Sequence, residues 1–342
     1  MKVVSVLFGF VLAANRDTSS MDGNFLEQLD EPIEELMKFD QAAFEKLYRT
    51  PEGGALAQAM QIMKEAPARR LPTSRGIPYV SPEALIANLQ NAFIAVCPDE
   101  LFETGQCVCE GRYSPTHILR NETAESMAVV SVDKIAHQII VSYRPTRTLQ
   151  NQFSNLDFEL VQYPDAPKGV LIHHGFKTYH FSIRHKVEEQ VYALLKDPRF
   201  QTFDLQITGY SLGAGISIAS VPSWIAFMRK HHLSNRLVIY SYAGPRVGNE
   251  AFAQYLANMN VPITRYTNRE DLVSHVPIRS LGYVHVGVEY YERQVNKADP
   301  ELILCSQAFD EDPSCGLNPN AVLSVLRHFL PFSKYIPLPP FC

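Results

Sequence analysis

Strand and helix patterns alternate along the chain from about residue 80 onward. Short β-branched runs at 127–132 and 138–143 are separated by a polar turn, which predicts a hairpin. Apolar residues then recur at helical spacing over 183–195. This order predicts an α/β fold with a mostly parallel sheet. The further strands that we predict lie at 203–207, 237–242 and 263–267.

The first residues follow a different pattern. Lys2 precedes the uncharged run 3–14, VVSVLFGFVLAA, which ends in small side chains. A membrane-spanning helix needs ~20 apolar residues, so this run is too short and instead predicts a secretory signal peptide at 1–14. The alternative is a buried N-terminal strand or helix. No later run of the sequence is long and apolar enough to span a bilayer.

An acidic segment rich in Met and Ala follows at 15–70 and contains no candidate catalytic pair. It ends at the dibasic pair Arg69 and Arg70, before a polar junction. Such a pair is typical of a processing site in a secreted chain, so we expect 15–70 to be a propeptide. The alternative is a helical appendage that is not removed. Residues 71–342 show no interior linker and are interpreted as one domain.

The composition is that of an ordinary globular protein. Hydrophobic residues make up 46% of the 342 residues, and 31 Lys+Arg against 36 Asp+Glu give a net charge of −5. Because no long basic run is present, we expect no nucleic-acid partner and no charge-driven contact with an anionic membrane. Any contact with lipid must therefore be apolar.

The chain has six cysteines, and none precedes residue 97. An even number in a secreted chain indicates three disulfides, although the sequence alone does not choose among the pairings. A zinc site, the alternative, lacks paired Cys-x-x-Cys spacing, and no metal is expected. The sequon that begins at Asn121 predicts a glycosylation site and is consistent with secretion.

The predicted strand 203–207 runs into TGYSLGAG at 208–215 and then into an apolar helical run. A Gly-x-Ser-x-Gly segment between strand and helix is typical of a nucleophile elbow, in which Gly209 and Gly213 permit a sharp turn that presents Ser211. The helix that follows directs its free N–H groups at the reacting centre. The alternative is a tight turn that only packs a helix.

A serine nucleophile needs a general base, and the base needs an acid that fixes its tautomer. In elbow enzymes the chain order is Ser, Asp, His. Asp271 follows a predicted strand directly and is the candidate acid, with Glu270 as the adjacent competitor. Of the histidines beyond the acid, His275 is only four residues away, and the order of residues leaves both His285 and His328 as candidate bases.

From about residue 85 to its C-terminus the chain resembles the class 3 lipases, the fungal-type triacylglycerol lipases. The resemblance implies an α/β-hydrolase fold. It is carried by ordered blocks: IIVSYRPT at 139–146, HHGF at 173–176, ITGYSLGAG at 207–215, YSYAGPRVGNEAFA at 240–253, TNREDLVSHVPI at 267–278, GYVHVGVEYY at 282–291 and VLSVLRHF at 322–329.

Carried over by position, the resemblance implies that Ser211 is the nucleophile, Asp271 the acid and His328 the base. His285 matches a histidine that lies beside the site and is not the base. The oxyanion donors implied are the backbone N–H of Leu212 and Thr146.

Three positions depart from the family pattern. Tyr210 replaces the histidine that usually precedes the nucleophile, and Pro145 replaces a glycine before Thr146. In the segment that matches the lid, a common tryptophan is absent, and Leu149 and Phe153 are the candidate apolar face. The alternative for this segment is an ordinary surface turn.

The resemblance also implies a function and a disulfide pattern. The function implied is a secreted, extracellular serine ester hydrolase that cleaves acylglycerols at an oil–water interface through an acyl-enzyme, without a metal or organic cofactor. The alternatives are a feruloyl-type esterase or carboxylesterase acting on more polar esters, and a non-catalytic lipid-binding protein. The disulfides implied are Cys97–Cys342, Cys107–Cys109 and Cys305–Cys315.

Overall fold

A mixed sheet of eight strands forms the centre of the protein in a computed structural model of the chain. Its strands lie in the order β1 (Tyr113–Asn121), β2 (Ser126–Asp133), β3 (Gln138–Tyr143), β6 (Asp204–Tyr210), β7 (Leu237–Tyr242), β9 (Ile263–Asn268), β11 (Val288–Asn296) and β12 (Asp299–Leu304). Strands β3, β6, β7, β9 and β11 run parallel, while β1, β2 and β12 add antiparallel edges. The mostly parallel sheet predicted from the sequence is thus confirmed. The structure describes residues 80–96, 113–145, 158–269, 271–296, 299–307, 311–316 and 328.

Helices precede and separate these strands along the chain. The helices are α1 (Pro82–Phe93), α2 (His174–Lys196), α3 (Leu212–Ala219), α4 (Val221–Lys230) and α5 (Glu250–Ala257).

A second sheet, separate from the first, has four very short strands. They are β4 (Leu160–Gln162), β5 (Leu171–His173), β8 (Gly248–Asn249) and β10 (Tyr283–Val284). Their order in the sheet is β10-β8-β5-β4. The sequence patterns did not predict these strands, because two or three residues are too few to show alternation.

Alternate residues of the central strands pack into different layers. Leu205 and Ile207 of β6 join a core cluster with α2, α3 and α4, whereas Tyr210 at the end of the same strand joins a cluster with α1. Successive side chains of a strand point to opposite faces, so helices cover the sheet on both sides.

The predicted strands and helix lie close to the observed ones. The hairpin of 127–132 and 138–143 corresponds to β2 and β3, which pair antiparallel, and the predicted strand 203–207 overlaps β6, which begins one residue later at Asp204. Among the described residues, no helix is long and apolar enough to cross a membrane. The predicted signal peptide and propeptide, 1–14 and 15–70, lie outside the described residues and stay predictions.

Candidate active site

Ser211 lies between the end of β6 and the start of α3. Its backbone has φ 58° and ψ −124°, and residues other than glycine seldom adopt a positive φ. The Ser211 N–H donates to the carbonyl of Tyr242 on β7 at 2.9 Å, and the Ser211 carbonyl accepts from Ala214 at 3.0 Å. The strained turn is therefore fastened on both sides, to the sheet and to the helix.

The atoms packed around the two glycines of the elbow leave no room for a side chain at either position. A Cβ atom on Gly209 would lie 2.3 Å from the carbonyl carbon of Gly213. A Cβ atom on Gly213 would lie 2.0 Å from the carbonyl oxygen of Tyr143, at the end of β3. Both distances are far below van der Waals contact, so neither position accommodates a side chain.

Leu212 is the first residue of α3, directly after Ser211. The first N–H groups of a helix have no acceptor within the helix and carry the positive end of its dipole. The backbone N–H of Leu212 is therefore suited to bind a negative oxygen at this site. Thr146, the second predicted oxyanion residue, lies outside the described residues, while β3 leads toward it through Arg144 and Pro145.

His328 and Asp271 form a buried pair, with Nδ1 of His328 2.8 Å from Oδ2 of Asp271. The side chains are 2% and 0% exposed. The other oxygen of Asp271, Oδ1, accepts from the backbone N–H of Val273 at 2.9 Å. The structure thus brings together the predicted acid and one of the two histidines that the order of residues left open, although 57 positions separate them.

The other candidate base, His285, and the nearby His275 both contact backbone carbonyls. His285 places Nε2 2.7 Å from the carbonyl of Ser274. Burial, with the nearby positive charge of Arg265, lowers the pKa of His285 well below its usual range, so its imidazole is neutral. His275 places Nδ1 2.7 Å from the backbone carbonyl of Asp271, and Nε2 against the carbonyl of Gly316. Glu270 lies outside the described residues.

Tyr210, the residue before Ser211, contacts His328 in two ways. Its hydroxyl donates a hydrogen bond to the backbone carbonyl of His328. Its ring lies with the centroid 5.2 Å from that of the His328 ring. The sequence marked Tyr210 as a departure from the family pattern, but nothing in the pattern indicated that its hydroxyl reaches a residue 118 positions away.

A buried ionic cluster supports the loop after Asp271. Arg246 binds Glu311 through Nε at 2.7 Å and Nη2 at 2.5 Å, and Arg279 reaches the same carboxylate at 3.0 Å. Arg246 also donates to the carbonyls of His275 and, at 3.1 Å, Pro277. Although burial alone would raise the pKa of Glu311, Arg246 holds it well below its usual range. No pattern in the sequence indicates this cluster.

The disulfide Cys305–Cys315 is present and encloses the segment that carries Glu311. Asn121 lies at the end of β1, where its Nδ2 donates to the carbonyl of Ser182 on α2 at 2.8 Å and its Oδ1 accepts from Ala124. Within the described part of the chain, no group of three or more His, Cys, Asp or Glu side chains could hold a metal ion. The remaining predicted residues, Cys97, Cys107, Cys109, Cys342, Leu149 and Phe153, lie outside the described residues.

Comparison with known proteins gives one consistent family. Residues 140–281 match the family described as lipase (class 3). The lipase of Rhizomucor miehei is 26% identical over 205 residues, which cover 60% of this chain and 54% of that protein. Secreted mono- and diacylglycerol lipase A of Penicillium cyclopium is 28% identical over 200 residues, covering 56% of this chain and 62% of that protein. The matched region thus spans little more than half of each relative.

Solved structures resemble the chain over a larger share of its length. The propeptide complex of Rhizomucor miehei lipase superposes with a TM-score of 0.64 at 21% identity, covering 80% of this chain and 90% of that chain. This likeness, together with the parallel sheet and its flanking helices, shows that the protein has the α/β-hydrolase fold. The fold expected from the sequence is confirmed.

Proposed function

Because residues 140–281 match the class 3 lipase family, we propose that the chain is a serine hydrolase that cleaves the ester bonds of acylglycerols. The observation that carries the proposal is the 2.8 Å contact between His328 and Asp271, in a chain that also holds Ser211 in a strained elbow. An acid, a histidine and a serine in these settings match the requirements of nucleophilic ester cleavage.

The tautomer of His328 follows from its contact with Asp271. The carboxylate accepts the hydrogen on Nδ1, which leaves Nε2 of the neutral ring able to accept a proton. We propose that Nε2 takes the proton of the Ser211 hydroxyl as Oγ attacks the ester carbonyl. The buried negative charge of Asp271 then stabilises the imidazolium that forms.

The rest of the cycle uses the same groups. The carbonyl oxygen becomes negative in the tetrahedral intermediate and accepts hydrogen bonds from the N–H of Leu212 and from Thr146. His328 returns its proton to the departing alcohol oxygen as the ester C–O bond breaks, which leaves an acyl group on Ser211. Water then attacks this ester, His328 takes its proton, and the carboxylic acid is released as Ser211 regains its hydrogen.

The substrate and the setting are also part of the proposal. Relatives of the chain are named as lipases and as a secreted mono- and diacylglycerol lipase, which supports a secreted enzyme acting on acylglycerols at an oil–water interface. Leu149 and Phe153 are the proposed apolar face that meets the lipid. The chemistry as written needs neither a metal nor an organic cofactor.

A more polar ester is the second candidate substrate, because the proposed lid segment lacks a tryptophan and offers only two large apolar side chains. Parallel assays on a long-chain acylglycerol emulsion and a soluble aryl ester distinguish a lipase from a feruloyl-type esterase. Faster turnover of the emulsion supports the lipase. Covalent labelling by an organophosphonate separates both enzymes from a non-catalytic lipid-binding protein.

Removal of the proposed catalytic side chains tests the assignment. Ser211→Ala and His328→Ala should each lower kcat by a factor on the order of 10⁶, and the double variant should lose little more, because the two residues act as a unit. His285→Gln is the control, since the amide can still donate to the Ser274 carbonyl, and it should retain substantial activity. A loss at His285 that equals the loss at Ser211, with His328→Ala still active, would show that the base is misassigned.

A further inference from the structure

We propose that Tyr210 is a positioning residue that sets the distance between His328 and Ser211. Its hydroxyl donates to the main-chain carbonyl of His328, and its ring lies against the His328 imidazole, with a centroid distance of 5.2 Å. The inference rests on the proposed function, in which His328 is the base that serves Ser211.

The position of Tyr210 in the chain gives this contact its importance. Tyr210 is the last residue of β6 and is joined to Ser211 by one peptide bond. It pairs in register with Tyr242 of β7, inside the parallel sheet. A single residue, fixed by the sheet, therefore connects the backbone of the proposed nucleophile to the backbone of the proposed base.

The ring of Tyr210 is held in place from the other side by α1. Phe93, the last residue of that helix, stacks on it with ring centroids 4.9 Å apart and an interplanar angle of 28°. Leu85 and Leu89 belong to the same buried cluster, and the tyrosine is only 6% exposed. A ring confined in this way has one direction in which to present its hydroxyl, and that direction leads to His328.

The hydrogen bond does not change with pH over the range in which an esterase works. Burial raises the pKa of Tyr210 well above its usual range, and the negative charges of Asp271 and Glu292 raise it further. The hydroxyl therefore keeps its proton, and the acceptor is a backbone carbonyl that does not titrate. Titration of the donor or the acceptor therefore does not break the bond in this pH range.

His328 is consequently fixed at two points. Asp271 orients its ring through Nδ1, and Tyr210 fixes its main chain through the carbonyl oxygen. Without the second bond the ring can keep its contact with Asp271 while its backbone shifts away from Ser211. A displacement of about 1 Å at a reacting group can cost on the order of 10²-fold in rate, and proton transfer is needed in both acylation and deacylation. The expected loss is therefore in kcat and not in KM.

The test compares two tyrosines that each lose only a hydroxyl. Tyr210→Phe removes the bond to His328. Tyr113→Phe is the matched control, because Tyr113 is also buried and its hydroxyl donates at 2.7 Å to an oxygen on α1, that of the Asn91 side chain. The reactive sites of each preparation are counted with a p-nitrophenyl alkylphosphonate. kcat and KM on a soluble ester are then expressed per reactive site, and the rate constant of phosphonate inactivation is measured as well.

For Tyr210→Phe we expect kcat per site to fall by about 10- to 100-fold with KM within about twofold. Phosphonate inactivation should slow by a similar factor, because it needs the same base, and Tyr113→Phe should match the parent. Parent-level kcat per site in Tyr210→Phe would overturn the proposal. So would a loss of reactive sites with normal turnover at those that remain, because the hydroxyl would then only support folding.

A Ser211→Ala variant, measured in parallel, distinguishes failure of the positioning role from failure of the proposed function. If Ser211→Ala kept activity and phosphonate labelling, the proposed function itself would fail, and the positioning role of Tyr210 with it.

Discussion

Gly213 packs so closely against Tyr143 that a Cβ atom placed on the glycine would lie 2.0 Å from the tyrosine carbonyl oxygen. The start of α3 and the end of β3 therefore touch through bare backbone. Leu212, whose backbone N–H is a proposed oxyanion donor, is the first residue of α3. Gly213 thus fixes the start of α3, and with it the proposed donor, against the end of β3.

Gly213→Ala should push these segments apart. Because the clash is with backbone that belongs to the sheet, it cannot be relieved by a side-chain rotation, and overpacking of this kind costs ~1 to 3 kcal/mol of stability. We expect kcat to fall by on the order of 10²-fold or more, as on removal of an oxyanion donor. Ester turnover per phosphonate-reactive site and urea unfolding measure the two effects.

Gly169→Ala provides the comparison. Gly169 has a φ of 90° but no atom within 4 Å of an added Cβ, so the alanine meets backbone strain without a clash. It should lose about 1 to 2 kcal/mol of stability and keep its turnover. Equal kcat in the two variants would contradict the link between Gly213 and the oxyanion site.

The local part of the site could be predicted from sequence, because its signals are local. The strand of β6, the glycines and the helix after Ser211 are contiguous, and each is needed for the same turn. The choice between His285 and His328 could not be made from the order of residues, since it depends on which imidazole the fold brings to Asp271. That pairing joins positions 57 apart.

The buried partners of Arg246 could not be predicted from the sequence, for a similar reason. Nothing in the sequence near Glu311 indicates that it meets a guanidinium 65 positions away, and charged residues are usually read as exposed. The contact of Tyr210 with a main-chain carbonyl was also hidden, because every residue has a carbonyl and no side-chain pattern marks one as an acceptor. Long-range polar contacts of this kind need the folded structure.

Glu311→Gln should be strongly destabilising. Both Arg246 and Arg279 would lose the charge that compensates them, and their side chains are 1% and 6% exposed. Breaking one side of a buried ion pair costs ~3 to 5 kcal/mol, because the remaining charge cannot be solvated. Urea unfolding at neutral pH measures the loss.

Glu301→Gln is the matched control for Glu311→Gln. Glu301 pairs with Arg293 at 2.6 Å, but both side chains are about half exposed. Such a pair contributes ~0 to 1 kcal/mol. Similar losses in the two variants would mean that burial does not determine the contribution of the Arg246 cluster.

The N-terminal processing predicted from the sequence can be read directly. If the dibasic pair Arg69 and Arg70 is cleaved, the mature secreted chain should begin at or near Leu71, and N-terminal sequencing identifies the first residue. Changing both arginines to glutamine should abolish the new terminus without moving cleavage of the signal peptide. A mature chain that begins near Asn15 would disprove the propeptide.

Acid stability should depend on His180, a buried histidine of α2 that takes no part in the proposed chemistry. It is 1% exposed, and its Nε2 lies 2.9 Å from Oγ of Ser223. Burial lowers the pKa of His180 to about 3, and the positive charge of Arg184 acts in the same direction. The folded protein therefore holds this imidazole neutral in mildly acidic solution.

The sign of the effect follows from comparing the folded and unfolded chains. In the unfolded chain a histidine has a pKa of ~6.5, so the stability that depends on neutral His180 is complete above that pH. As the pH falls from ~6.5 toward 3, the unfolded state takes up a proton that the folded state refuses. Each pH unit in this window then costs about 1.4 kcal/mol of unfolding free energy.

His180→Phe should remove this dependence. Ser223 keeps a partner after the change, because its Oγ also lies 3.1 Å from the hydroxyl of Tyr163. Carboxylates contribute their own slope in both proteins, so the informative quantity is the difference between parent and variant. Urea unfolding is measured at pH 4, 5, 6 and 7. Below pH 6 the difference in unfolding free energy between parent and variant should change by about 1.4 kcal/mol per pH unit, which corresponds to one proton. His185→Gln, at a histidine whose side chain is 83% exposed, should run parallel to the parent. A His180→Phe curve that also runs parallel would show that His180 takes up its proton equally in the folded and unfolded states.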